Sequence, residues 1–147
     1  MVWDGAMPDD HEEPEAIVLE PRHLSQALAL AQLTRPGPFG PRTLELGEYY
    51  GYFQNHRLLA MAGERMHADV HREISGVCTH PDHQRKGLAR RLMTKLIGHQ
   101  MRRNETPFLH VMLDNVNAHR LYELMGFRDY RESAIRIVSY VGNGLAC

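Results

Sequence analysis

The sequence predicts an α/β fold, a mixed sheet with helices on its faces, and three observations carry that expectation. Apolar residues recur at helical spacing twice in the second half: first Leu88, Leu92, Met93, Leu96, Ile97 and Met101, then Ala118, Leu121, Tyr122 and Met125. Runs of strand character surround both. One of them, Glu73 to Thr79, is followed by the first helix and then by another strand, Phe108 to Leu113. A strand–helix–strand step of this kind implies a parallel pair with a right-handed crossover.

The elements follow in order. The opening stretch, residues 1–14, is rich in Asp and Glu, contains Pro8 and Pro14, and lacks apolar periodicity. It reads as a mobile lead-in, with one domain over 15–147. Ala16 to Leu19 is a short strand. A helix then starts near Pro21, a favoured first-turn residue, with Leu24, Ala27, Leu28 and Ala31 as its apolar stripe. The segment Pro36-Gly37-Pro38-Phe39-Gly40-Pro41 can only be a loop. Tyr49 to Phe53 and Leu58 to Met66 form a hairpin, with Asn55-His56 at the turn. Gly76, inside the next strand, marks either a bulge or a simple kink. Gly126 stops the last helix, and Phe127 to Arg131 and Ala134 to Tyr140 read as two antiparallel strands.

Composition removes several function classes. The 147 residues, 43% of them hydrophobic, suffice for one core. A net charge of −1 gives no electrostatic reason to expect nucleic acid or an anionic membrane as partner. No apolar run approaches the ~20 residues needed to span a bilayer. Two cysteines, Cys78 and Cys147, do not make a disulfide framework and point to a reducing cytoplasm. The ten histidines, His67, His71, His80 and His83 among them, have no zinc-type spacing with cysteine support, so no metal is expected. Cys78 reads as a small buried hydrophobe rather than a nucleophile.

The segment 80–90 carries chemistry. His80-Pro81-Asp82-His83 ends the central strand, and Gln84-Arg85-Lys86-Gly87-Leu88-Ala89 opens the long helix. A helix start offers backbone N–H groups without internal partners and a partial positive charge. Small residues at 87 and 89 admit an anion to that backbone, and Arg85, Lys86 and Arg90 add formal charge. The pattern is neither a P-loop nor a dinucleotide fingerprint. Taken alone it is either a phosphate cradle or a solvated basic helix entrance.

A second motif decides between them. Asn115, Ala118, Leu121, Tyr122, Glu123, Gly126 and Phe127 fit the pattern N-x-x-A-x-x-L-Y-E-x-x-G-F, and Gln84, Gly87 and Ala89 fit Q/R-x-x-G-x-G/A. Together these segments, within Glu73 to Phe127, resemble the GNAT superfamily of acyl-CoA-dependent N-acetyltransferases. Ala89 stands where many members have Gly. The proline-glycine loop and Met61 to Met66 are similar to a bacterial subgroup whose acceptor the motifs do not specify. The resemblance implies a mostly antiparallel mixed sheet of about six to seven strands with helices on both faces. It also implies direct transfer of acetyl from acetyl-CoA to the amine of a small molecule or peptide.

Site roles follow from the resemblance. The cofactor diphosphate would lie on the amides of Arg85, Lys86, Gly87, Leu88, Ala89 and Arg90, next to Gln84. The pantetheine would run along Val77, Cys78 and Thr79, whose N–H groups would hold the developing oxyanion. An alkyl amine of pKa ~10.4 costs roughly 4.6 kcal/mol to deprotonate at pH 7, so a positioned base matters. Glu73, at the catalytic-glutamate position of histone-acetylating members, is one candidate and would share a strand face with Ser75, Val77 and Thr79. His110 is the other; it falls where relatives that acetylate peptide amino termini place a glutamate, and imidazole suits base work. Each has a plain alternative, an ion-paired strand end for Glu73 and a structural histidine for His110. Tyr122 is the candidate acid for the leaving thiolate, or else a core tyrosine. Asn115 either contacts the pantetheine or caps its helix, and the two are compatible. Loops at 34–48 and the carboxyl-terminal hairpin, with Phe39 and the aromatic run from Tyr49, are expected to border the acceptor. The rival readings are a non-catalytic acyl-CoA sensor and a nucleotide-binding interaction domain. Dimerisation stays open.

Overall fold

The computed structural model describes residues 1–9, 12–136 and 138. The chain begins on β1 (Val2–Trp3) and β2 (Ile17–Val18), then passes a 3-10 turn into α1 (Leu24–Thr34). Three long strands follow: β3 (Tyr49–Gln54), β4 (Arg57–Ala68) and β5 (His71–Thr79). Next come α2 (Leu88–Arg102), β6 (Thr106–Phe108), α3 (Val116–Met125) and β7 (Phe127–Arg128). Among the described residues the seven strands form one sheet in the order β2-β3-β4-β5-β6-β1-β7. Only β5 and β6 run parallel; the other neighbours are antiparallel. The β3–β4 turn has Asn55 and His56 at φ +48° and +62°, the double left-handed geometry a two-residue hairpin requires.

Each face of the sheet buries its own cluster. Ala27, Leu30 and Ala31 of α1 meet Tyr49, Leu58, Met61 and Cys78 on one face. Leu92, Met93, Leu96 and Ile97 of α2 and Tyr122 of α3 meet Tyr50, Tyr52, Ala60, Ala62 and Ile74 on the other. Helices therefore cover both faces, as the resemblance implies. In α1 the buried stripe runs through Leu30 rather than Leu28. On the α1 face Tyr49 lies directly across from Gly63, and its ring occupies the space a Cβ at 63 would need. No helix among the described residues is long and apolar enough to cross a membrane.

Four expectations need correction. The acidic stretch 1–14 is not a loose lead-in over its described residues. Val2 pairs with Phe108 and Arg128, so β1 fills the slot between β6 and β7. Trp3 packs edge-on against Phe127 at 5.2 Å. Farther along, buried Glu13 accepts from Arg91 Nε at 2.9 Å and from the Tyr52 hydroxyl at 2.6 Å, tying the stretch to α2 and β3. The Arg91 guanidinium holds the Glu13 carboxyl below the usual carboxylate range.

The strand expected over Phe108 to Leu113 stops at Phe108, because its ladder to β5 ends at Glu73↔Phe108 and the chains part. That expected over Phe127 to Arg131 ends at Arg128. Residues 134–136 and 138 of the last expected strand carry no regular structure. Its other positions lie outside the described residues.

Candidate active site

The parting of β5 and β6 opens the site. Beyond Glu73 no described strand pairs with β5 on its β6 side. The His80 amide donates to Leu59 O on β4 at 2.7 Å. Strand alternation then turns the N–H groups of Thr79 and Val77 toward the open edge, and that of Cys78 toward β4.

Gly76 sets this arrangement. Its φ of +64° and the register Met61↔Cys78, Gly63↔Ser75, two steps on β4 against three on β5, define a bulge. A Cβ there would meet the Tyr49 ring at 3.0 Å and the Tyr49 hydroxyl at 3.3 Å. The bulge also overturns one expectation. Ile74 and Val77 pack in the α2-side cluster, while Cys78 packs in the α1-side one. Side chains therefore swap faces across Gly76, and Glu73 and Ser75 do not share a face with Val77 and Thr79. The Cys78 thiol is buried, and that burial pushes it up to about 11, so it stays protonated and inert.

The loop after β5 arrives at α2 through a short 3-10 turn at Pro81–His83. Arg85 and Gly87 have φ of +61° and +78°, with Gly87 as the residue before the helix. Left-handed residues alternating with ordinary ones turn successive N–H groups to one side, the geometry of an anion nest. The six amides from Arg85 to Arg90 make no hydrogen bond among the described residues, whereas the next, Arg91, donates to Gly87 O at 3.0 Å. Space above Gly87 is open, with nothing within 4 Å of a Cβ built there. Gln84, Arg85, Lys86 and Arg90 are exposed, and Leu88 and Ala89 are half-buried. No described carboxylate pairs with Arg85, Lys86 or Arg90, and Lys86 Nζ lies 3.3 Å from the His83 ring. This is an uncompensated positive helix start.

The helix α3 packs on the α2-side cluster through Tyr122 and runs into β7. Asn115 caps it, its side-chain oxygen accepting from the Ala118 amide at 3.2 Å. The structure thus gives Asn115 a capping role. Tyr122 lies one turn before the Gly126 stop, its ring buried and edge-on to Phe127 at 6.1 Å. Its hydroxyl has no hydrogen-bond partner among the described residues. Burial pushes its pKa up to about 12.

The two base candidates are brought together. Where β5 and β6 part, Glu73 Oε1 lies within hydrogen-bond distance of His110 Nδ1, at 2.8 Å. The same carboxylate receives a fork from Arg65 of β4, Nη2 to Oε1 at 2.7 Å and Nε to Oε2 at 2.9 Å. Arg65 was not legible as a site residue, since an arginine late in a long strand looks like a solvated face. Phe39, from the proline-glycine loop, packs edge-on against Tyr49 at 5.7 Å and lies 3.6 Å from a Cβ built on Gly76. It therefore borders the bulge. The Tyr49 hydroxyl is buried without a hydrogen-bond partner among the described residues. On the surface, His119, Glu123 and Asp129 hold ligand-capable atoms within 4.8 Å of one another; the His119 ring contacts both carboxylates and so joins α3 to the residue after β7.

Comparisons with known proteins bear on the family and the fold. The family model described as FR47-like protein matches residues 49–136. A GNAT-family acetyltransferase structure from Novosphingobium aromaticivorans is 41% identical with a TM-score of 0.83, covering 88% of this chain. The present chain spans 58% of that protein's length. The ribosomal-protein-S18-alanine N-acetyltransferase of Escherichia coli is 27% identical, TM-score 0.69, over 79% of this chain and 78% of that one. An aminoglycoside N-acetyltransferase in complex with CoA shares the fold, with TM-score 0.67 at 11% identity, over 85% of this chain and 99% of that one. No curated protein matches the sequence significantly. The chain belongs to the FR47-like family and is built on the GNAT acetyltransferase fold.

Proposed function

We propose that this protein transfers an acetyl group from acetyl-CoA directly to an acceptor amine. The observation that carries this reading is the run of six unpartnered amides, Arg85 to Arg90, beside the open edge of β5. A diphosphate suits that nest, since it accepts several N–H donors at once and meets the charges of Arg85, Lys86 and Arg90. Acetyl-CoA supplies the activated thioester. The Val77 and Thr79 amides are the donors available to a carbonyl oxygen at the open edge.

Two proton transfers remain. The Glu73–His110 pair takes a proton from the amine as its nitrogen bonds to the acyl carbon. Tyr122 gives its hydroxyl proton to the sulfur as the C–S bond breaks, and solvent exchange restores both groups. Within the Asn115–Phe127 motif Tyr122 is the protonated donor, and its pKa of about 12 keeps the proton in place at neutral pH. The acceptor is an amine bound on the Phe39 and Tyr49 side; its class, small molecule or peptide, is set by residues 34–48. We place the reaction in the cytoplasm, a reading supported by the free, buried thiol of Cys78.

A thiol-release assay across alkyl amines, amino acids and peptide amino termini, run beside thermal shifts with acetyl-CoA, tests this. The expected result is a raised Tm and CoA release with one amine class. A raised Tm without release from any amine favours a sensor over an enzyme. No thermal shift with any CoA species overturns the cofactor assignment.

A further inference from the structure

Resting on the transfer reaction proposed above, we infer that the base is the imidazole of His110, acting through Nε2. Glu73 and Arg65 are positioning residues that fix its tautomer and orientation. Glu73 has no room for the amine. It is 1% exposed, Arg65 binds both its oxygens, and Oε1 takes a further bond from His110. Both oxygens accept from a guanidinium, so Glu73 is an acceptor-only carboxylate. His110 Nδ1 must therefore be the donor in its 2.8 Å contact. A neutral imidazole with its proton on Nδ1 carries its lone pair on Nε2.

The remaining surroundings agree. Nε2 of His110 has no hydrogen-bond partner among the described residues, and the side chain is 38% exposed. The Phe108 ring lies edge-on at 5.8 Å and contributes no charge. Charged groups near His110 are Glu73 of β5 and, behind it, Arg65 of β4; the Tyr49 hydroxyl of β3 faces that pair. Strand geometry produces the contact. The parallel register sets Phe108 beside Glu73, and His110 follows two residues on, where the strands part.

The step balances as follows. The amine nitrogen bonds to the acyl carbon and its proton goes to His110 Nε2. The C–S bond breaks, and the sulfur takes the Tyr122 proton. Glu73 transfers no proton and stays paired with Arg65 throughout.

Two measurements decide this. The first is nitrogen NMR of histidine side chains in the substrate-free protein at pH 8, with His110 assigned through His110→Gln. A proton on Nδ1 is expected, and a proton on Nε2 overturns the inference, whatever the acceptor proves to be. The second is the pH dependence of kcat/KM. His110→Gln is expected to lose about 100-fold or more in kcat and the acidic limb of the profile. Glu73→Gln retains an acceptor oxygen for His110 and is expected to keep the limb, with kcat within about tenfold. Glu73→Ala, lacking that oxygen, is expected to lose nearer 100-fold in kcat with KM for acetyl-CoA unchanged. If Glu73→Gln loses the limb while His110→Gln keeps it, Glu73 is the base and the inference fails. Should either Glu73 variant fail to fold, the NMR result stands alone. Failure of the acetyltransferase reading looks different: wild-type protein releases no thiol with any amine, while the tautomer is still read.

Discussion

Tyr122→Phe lowers kcat by about 100- to 1000-fold and leaves acetyl-CoA affinity essentially unchanged. The substitution removes one oxygen and keeps the ring that packs on Phe127 in the α2-side cluster. Since the hydroxyl has no hydrogen-bond partner among the described residues, its loss strands no donor there, and stability should hardly move. On the proposed mechanism, the interaction removed is the one with the departing sulfur, which exists as the C–S bond breaks and not before. That is the signature of transition-state rather than ground-state binding. Burial pushes the phenol up to about 12, so its protonated form persists through neutral pH, and an alkaline fall in kcat well below that value belongs to another group. Steady-state kinetics beside calorimetric binding of acetyl-CoA checks this. Unchanged turnover removes Tyr122 from the mechanism.

Gly63→Ala is expected to destabilise the fold by about 3 kcal/mol, lowering Tm by about 10 °C, and to abolish thiol release. A Cβ at 63 would stand 2.2 Å from the Tyr49 ring. That ring cannot swing away, because Tyr49 is fully buried with Phe39 on one side and the Gly76 bulge on another. Whatever Tyr49 yields is passed to Gly76, and so to the amides of Val77 and Thr79. Gly40→Ala is the matching control: nothing lies within 4 Å of its built Cβ, and its φ is not left-handed. Thermal unfolding of both variants separates a packing effect from a loss of glycine as such. Equal Tm values for the two would contradict this view of the Tyr49–Gly63 contact.

Much of the scaffold was legible because periodicity is a local property. The stripe from Leu88 to Met101 and that from Ala118 to Met125 are α2 and α3. The Asn55-His56 turn set the β3–β4 hairpin. The helix start at 84–90 could be read because an anion nest is a feature of consecutive residues. What escaped the sequence depends on register. Val2 and Trp3 are two apolar residues heading an acidic run, too short for any period, and their value comes from a slot between strands distant in sequence.

Arg65 meets Glu73 only because β4 and β5 pair with two irregularities that set which side chains face each other. The same bulge overturned simple alternation along β5. Choosing between Glu73 and His110 as base was beyond the sequence for a related reason. Their contact is made by the parallel register of β5 with β6, and the occupancy of Glu73 by Arg65 is made by a third strand.

Acetyl-CoA binding, as proposed, depends on the amides at the start of α2. A crystal structure of the acetyl-CoA complex tests it most directly. The prediction is that diphosphate oxygens lie about 3 Å from several of the N–H groups of Arg85 to Arg90, with the sulfur reaching the Tyr122 hydroxyl. The contrary result is a complex in which those N–H groups bond within the protein while the cofactor sits elsewhere.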